Sequence, residues 1–183
     1  MRLTSGTSMR AQSGVALLIA LLILVIVSLM GITAMKTSMF SAKISTGTQV
    51  DAMAFEGAES AVEEAYAHLQ GMSGAELQPF LRGQVAYRCL AGNTVKGTRC
   101  TGSERLDSRD LVQAGSRIRQ NGMQALDGGQ VSVSGGGRLE VDYTFEIMGD
   151  SEVEQFKIEN HHLQQALKTG LVSPSDFNRI GQE

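Results

Sequence analysis

The pattern of apolar and polar positions changes character along the chain. Val15–Met35 is an almost unbroken apolar run of 21 residues. As a helix rising 1.5 Å per residue it spans about 30 Å, the thickness of a bilayer core. Beyond Lys36 the pattern turns amphipathic. Val50, Ala54, Ala58, Ala61, Val62, Ala65 and Leu69 fall at helical steps, while Glu56, Glu59, Glu63 and Glu64 fill other positions. This predicts a helix over Asp51–Gln70 with a narrow face of small residues, stopped by Gly71-Met-Ser-Gly74. Gly47, beside Ser45, Thr46 and Thr48, marks its weakest point. A helix running unbroken from 15 to 70 is about 84 Å long.

After residue 71 the period shortens to two. Leu139, Val141, Tyr143, Phe145 and Ile147 alternate with Glu140, Asp142, Thr144 and Glu146, predicting a strand. Gln130–Ser134 alternates as well, and Gly135-Gly-Gly137 between the two runs predicts an antiparallel hairpin over about 130–148. Gln84–Arg88 reads as a strand. Glu152–Glu159 reads as a third strand of this sheet, with Val153 out of phase with Phe156 and Ile158. Arg105–Arg119 is charged, poor in strand formers, and reads as a short helix around Ser108–Ala114. The tail from Asn160 reads as a helix, followed by a cap or turn at Ser173-Pro-Ser-Asp176. The sheet packs its apolar face on the Asp51–Gln70 helix, an α+β head.

Charge sharpens the division. The net charge of −3 hides a +4 segment (Arg2, Arg10, Lys36, Lys43) and a −7 remainder, since all 19 acidic residues lie after residue 50. Residues 11–35 carry no charge. The acidic body argues against phosphate-backbone binding, so no nucleic acid is expected as a direct ligand. The apolar run is too long for a cleaved secretory signal, and Thr33-Ala34-Met35-Lys36 is a poor cleavage site for one. It reads as a membrane anchor. Its basic flanks are nearly balanced, and the acidic body tips the orientation toward an inside N-terminus with the body outside.

Arg10-Ala-Gln-Ser-Gly14-Val15 is a polar, basic leader ending in Gly directly before the apolar run. It resembles a type III signal, cut by prepilin peptidase on the cytoplasmic side between Gly14 and Val15. Gly suits a scissile position that must be extended and unhindered, although a helix start alone also accommodates it. The leader spans 1–14 counted from Met1, or six residues counted from Met9.

Gly14–Gly31, then Ala34-Met-Lys-Thr-Ser38, then Ala54-Phe-Glu-Gly-Ala-Glu59-Ser-Ala-Val62 together resemble the N-terminal region of PilX-type minor pilins of the type IV pilus, over roughly residues 10–70. The resemblance implies an α+β, type IV pilin-like fold. It divides the chain into a leader (1–14), a transmembrane helix (15–35), its amphipathic continuation (36–70) and a periplasmic or extracellular head (71–183). It implies an inner-membrane protein that is processed and then assembled into the surface fibre. The implied partners are other minor pilins, the major pilin, prepilin peptidase and the inner membrane. With Val15 as the first mature residue, the fifth is Ile19, where major pilins carry Glu to neutralise the N-terminal amine of the subunit ahead. A carboxylate in the bilayer costs about 3 kcal/mol on insertion scales and persists only with a partner. Ile19 therefore points to an initiating subunit at or near the tip. Two other readings stand beside it: a K-type pseudopilin of type II secretion, expected to carry a much larger head, and an uncleaved membrane-anchored binding protein.

The remaining chemistry is sparse. Cys89 and Cys100 in an extracytoplasmic head read as a disulfide, with two free thiols as the alternative. His161-His162 beside Glu159 reads as a solvated pair rather than a metal site, and Asp150, Glu152 and Glu154 as a charged strand face rather than a calcium site. No phosphate loop or catalytic constellation is present. No cofactor, metal or enzymatic activity is expected.

Overall fold

A computed structural model of the chain describes residues 13–133, 136–173 and 175–177, with the backbone alone at 13, 127–133 and 136. The expected leader falls outside the described residues up to position 12, as does the tip of the expected hairpin at 134–135. The chain falls into two compact units, Met1–Gly47 and Thr48–Glu183.

Helix α1 spans Ser13–Gly71 and stays helical through Gly47. Its first part lies in the first unit, where every side chain described from 14 to 47 is exposed. It is long and apolar enough to cross a membrane. Ser28, Thr37 and Thr46 return their hydroxyls to the carbonyls of Leu24, Thr33 and Ala42, four residues back, at 2.7–3.0 Å. Each hydroxyl is thus satisfied inside the helix, as an apolar surrounding demands.

The second unit is the head. All seven residues of the small apolar stripe, Val50, Ala54, Ala58, Ala61, Val62, Ala65 and Leu69, are buried there. Burial of side chains the size of Val62 and Leu69 stabilises by about 2 kcal/mol each. Helix α1 ends at Gly71, and Ser73 opens the short helix α2 (Gly74–Leu77). The backbone N–H and hydroxyl of Ser73 both donate to Glu76 Oε2, at 2.7 and 2.8 Å.

Five strands follow: β1 (Ala86–Ala91), β2 (Thr94–Lys96), β3 (Val112–Val133), β4 (Gly136–Val153) and β5 (Ile158–Val172). They form one sheet in the order β2-β1-β3-β4-β5, with every neighbouring pair antiparallel. The architecture is the α+β, pilin-like plan expected from the sequence. The face toward α1 carries Val141, Tyr143, Phe145, Ile147 and Val153 of β4 and Ile118 of β3, all buried. The phase expected for β4 is the observed one.

Three local readings fail, one of them the strand expected over Glu152–Glu159, which is instead the end of β4, a 3₁₀ turn and the start of β5. The stretch around Ser108–Ala114 is not a helix: a turn at Asp107–Asp110 leads into β3. Its inward positions are Val112, Ala114, Ser116 and Ile118, which are buried but mostly small or polar. A register shift between Gln120 and Gly122 then moves the inward phase, so that Met123 packs on the core. Weak apolar contrast and a bulge together erase the period of two. The tail from Asn160 is also not a helix. Strand β4 ends at Val153, a 3₁₀ turn covers Glu154–Phe156, and β5 pairs without interruption from Val153↔Ile158 to Leu139↔Val172. Leu163, Leu167 and Leu171 recur every four residues, which mimics a helical stripe, yet all three are exposed on the face turned away from α1. At Ser173 the expected cap forms: its hydroxyl accepts from the Asp176 N–H at 3.2 Å.

The helix and sheet approach at two glycines. A Cβ on Gly149 of β4 would stand 2.5 Å from the Ala58 carbonyl oxygen and 2.6 Å from Val62 Cγ2. One on Gly57 of α1 would run into the Ser151 side chain and stand 2.9 Å from Val112 Cγ1. Only a missing side chain permits this spacing. Around it, Arg88 of β1 reaches Glu64 of α1 through two hydrogen bonds, one from Nε at 3.1 Å. Lys168 of β5 donates to the Leu69 and Gln70 carbonyls at 2.8 and 2.7 Å. A cation there satisfies the free carbonyls of the helix end and its negative pole.

Candidate functional site

The residues singled out by sequence fall in separate places. Gly14, Val15 and Ile19 lie in the first two turns of α1, and all are exposed. A Cβ on Gly14 would have nothing within 4 Å, and the same holds at Gly31. No neighbour among the described residues requires Gly at 14. Ile19 adds one more exposed apolar side chain to a helix whose first charge is Lys36. This segment offers an apolar cylinder with no acid on its exposed apolar turns and a small residue near its start.

In the head, Cys89 of β1 and Cys100 are joined by a disulfide with their Cα atoms 5.1 Å apart. Cys89 is fully buried. Beside it, Glu104 gathers the turn after Cys100. It accepts the Thr101 N–H at 2.8 Å, the Lys96 ammonium at 2.9 Å and the Thr101 hydroxyl. The Thr101 N–H, then Lys96, then the Thr101 hydroxyl hold its carboxyl down at about 2. Glu104 thus fixes this turn to β2. Sequence reading passed over it, though Thr101-Gly-Ser-Glu104 carries the spacing of a capping box, a hydroxyl residue with Glu three positions on.

The two adjacent histidines lie on a strand, so they point to opposite faces rather than about 100° apart. His161 Nδ1 donates to Asp150 Oδ1 on the outer face at 2.7 Å. His162 Nδ1 donates to Glu59 Oε2 of α1 at 2.7 Å, with its ring edge-on to Phe55 at 4.4 Å. Each meets a carboxylate: His161 on the exposed outer face, His162 across the contact between helix and sheet. Asp150 and Glu152 share the outer face, but Glu154 lies past the strand end and pairs with Arg105 at 2.8 Å. Among the described residues, no group of three or more His, Cys, Asp or Glu is arranged to hold a metal ion.

The outer face also carries a shallow cavity of about 360 Å³, lined by Tyr87, Arg99 and Arg117 on one side and Asp150, Glu152 and Glu159 on the other. The Arg99 guanidinium sits 4.2 Å over the Tyr87 ring and donates to its hydroxyl. Cys100 of the disulfide and Gly115 also line it.

Residues 13–63 match the family model described as PilX N-terminal. The match covers the apolar part of α1 and most of its buried stripe. No curated protein and no solved structure matches the chain.

Proposed function

We propose that this chain is a minor pilin that helps to initiate type IV pilus assembly and sits at or near the fibre tip. The observation that carries this reading is the match of residues 13–63 to the PilX N-terminal family, which begins at the start of α1 beside Gly14. Gly14 is not needed for packing. In this reading a prepilin peptidase cutting between Gly14 and Val15 requires glycine itself there, the one residue with no side chain to hinder an extended scissile position. In this reading 1–14 is the leader, 15–35 spans the inner membrane with the N-terminus cytoplasmic, 36–70 continues the helix, and 71–183 is the periplasmic head. After cleavage the apolar helices pack side by side in the fibre core with the other minor pilins and the major pilin. Ile19 supports a subunit with no N-terminal amine ahead of it to neutralise. The head then supports adhesion or motility from the fibre surface. Such a subunit is structural and performs no catalysis.

Mass spectrometry of the mature N-terminus tests the reading. A chain beginning at Val15 supports it, and Gly14→Ala should leave the leader attached. An intact leader in the unsubstituted protein, or normal maturation of the Gly14→Ala variant, overturns the cleavage assignment. Deleting the protein should reduce surface pili; undiminished piliation overturns the initiating role.

A further inference from the structure

We propose that the cavity on the outer face of the sheet binds a zwitterion, an ammonium and a carboxylate joined by a short aliphatic chain, as in an ω-amino acid or a C-terminal lysine. Its volume of about 360 Å³ is that of a small-molecule site. The strand register sorts its charges into two ends. Tyr87 of β1 pairs with Arg117 of β3, and Arg99 stacks on Tyr87. At the other end Asp150 lies opposite Gly115 and Glu152 opposite Gln113, with His161 and Glu159 of β5 continuing these two rows. Arg117 and Asp150 are thus diagonal neighbours, about 7–8 Å apart, and Glu152 stands two residues further along β4. Between Arg117 and Gln113 the outer face of β3 carries only Gly115, where a Cβ would stand 3.1 Å from Cys100 Sγ.

The two ends do not neutralise each other. Arg99 donates to the Tyr87 hydroxyl and Arg117 to the Met148 sulfur, a weak acceptor, and neither forms an ion pair among the described residues. Among the same residues the Glu152 side chain has no partner, while Asp150 and Glu159 meet His161 at 2.7 and 3.8 Å. A simple anion drawn to the arginines would face three carboxylates, and a simple cation drawn to the carboxylates would face two guanidiniums. A ligand carrying both charges meets the opposite charge at each end. Its carboxylate would accept charge-assisted hydrogen bonds from Arg117 and Arg99. Its ammonium would sit among Asp150, Glu152 and Glu159, with the alkyl chain crossing at Gly115.

Titration calorimetry of the full chain in detergent micelles tests this with ε-aminocaproate as the probe. It should bind saturably and about tenfold more tightly than caproate or pentylamine, each of which keeps only one of the two charges. Caproate binding as tightly would show a plain anion site, and pentylamine binding as tightly a plain cation site. Either result overturns the proposal, as does the absence of saturable ε-aminocaproate binding. Nα-acetyllysine separates the sources: affinity equal to that of ε-aminocaproate assigns the C-terminal lysine of a polypeptide, and much weaker binding assigns a free ω-amino acid. Arg117→Gln and Glu152→Gln should each weaken ε-aminocaproate about fivefold. Neither side chain holds an ion pair in the head, and circular dichroism verifies that both variants fold. Arg119→Gln, which removes a charge paired with Glu146 outside the cavity, should leave the affinity unchanged. Equal affinity in all three variants, or an equal loss in all three, overturns the assignment.

Discussion

Two stretches of one helix use the same small residues to opposite ends. In the first, Gly14, Ala20, Gly31 and Ala34 lie on an exposed apolar cylinder, and a Cβ on Gly14 or Gly31 would touch nothing. In the second, Ala54, Gly57, Ala58, Ala61 and Ala65 are buried, and Gly57 has no room for a methyl group. Small residues at the head end are required by the chain's own sheet. At the exposed apolar end, nothing among the described residues requires them. A residue type therefore does not announce its constraint. What surrounds it in the tertiary structure does.

Matched substitutions can break this comparison. The largest effect is expected for Gly149→Val, whose new side chain would meet the Ala58 carbonyl and Val62; it should destabilise the head by about 3 kcal/mol. Gly31→Val should leave head stability unchanged, and denaturant unfolding of the two variants compares them directly. Next, Ala65→Leu overfills a fully buried position and should cost about 2 kcal/mol. Ala34→Leu on the exposed half should leave head unfolding unmoved. Equal losses at the two positions would remove the distinction. A smaller effect belongs to Lys168→Met, which leaves two carbonyls at the end of α1 without their donor. It should lower the unfolding free energy by about 1 kcal/mol.

The smallest effect is one of pH. The Glu104 carboxyl titrates at about 2 in the folded chain against an ordinary 4.5, held down first by the Thr101 N–H. Its stabilisation is therefore complete above 4.5 and is lost as the pH falls from 4.5 toward 2. Glu104→Gln should flatten that part of the stability profile in an acid titration of the melting temperature. An unchanged acid limb would show that the turn does not depend on this carboxylate.

Much of the helix was legible because its two environments write different codes. A charge-free run and a seven-residue buried stripe each survive without knowledge of any partner, since burial along a helix repeats at a fixed step. Strand β4 was legible for the same reason: its inward residues are large and apolar and its outward ones polar. Strands β3 and β5 were not. In β3 the inward side carries the small or polar Ala114 and Ser116 between Val112 and Ile118, and a bulge follows. In β5 the leucines face outward while Asn160, His162 and Lys168 lie on the α1 side, where His162 and Lys168 find partners on the helix. Polar residues there are satisfied by groups about 100 positions away in the chain, which no local pattern records.

The sequence by itself determined the apolar helix, the amphipathic face that follows, the α+β plan and the core strand. These rest on local periodicity and charge, which a residue carries wherever it lies. The tertiary structure alone decided that β5 is an edge strand with its leucines outward, that Glu104 and Lys168 hold the turn and the helix end, and that Gly57 and Gly149 set the spacing of helix and sheet. Those outcomes depend on which distant segment arrives opposite, and close packing makes a single methyl group decisive there.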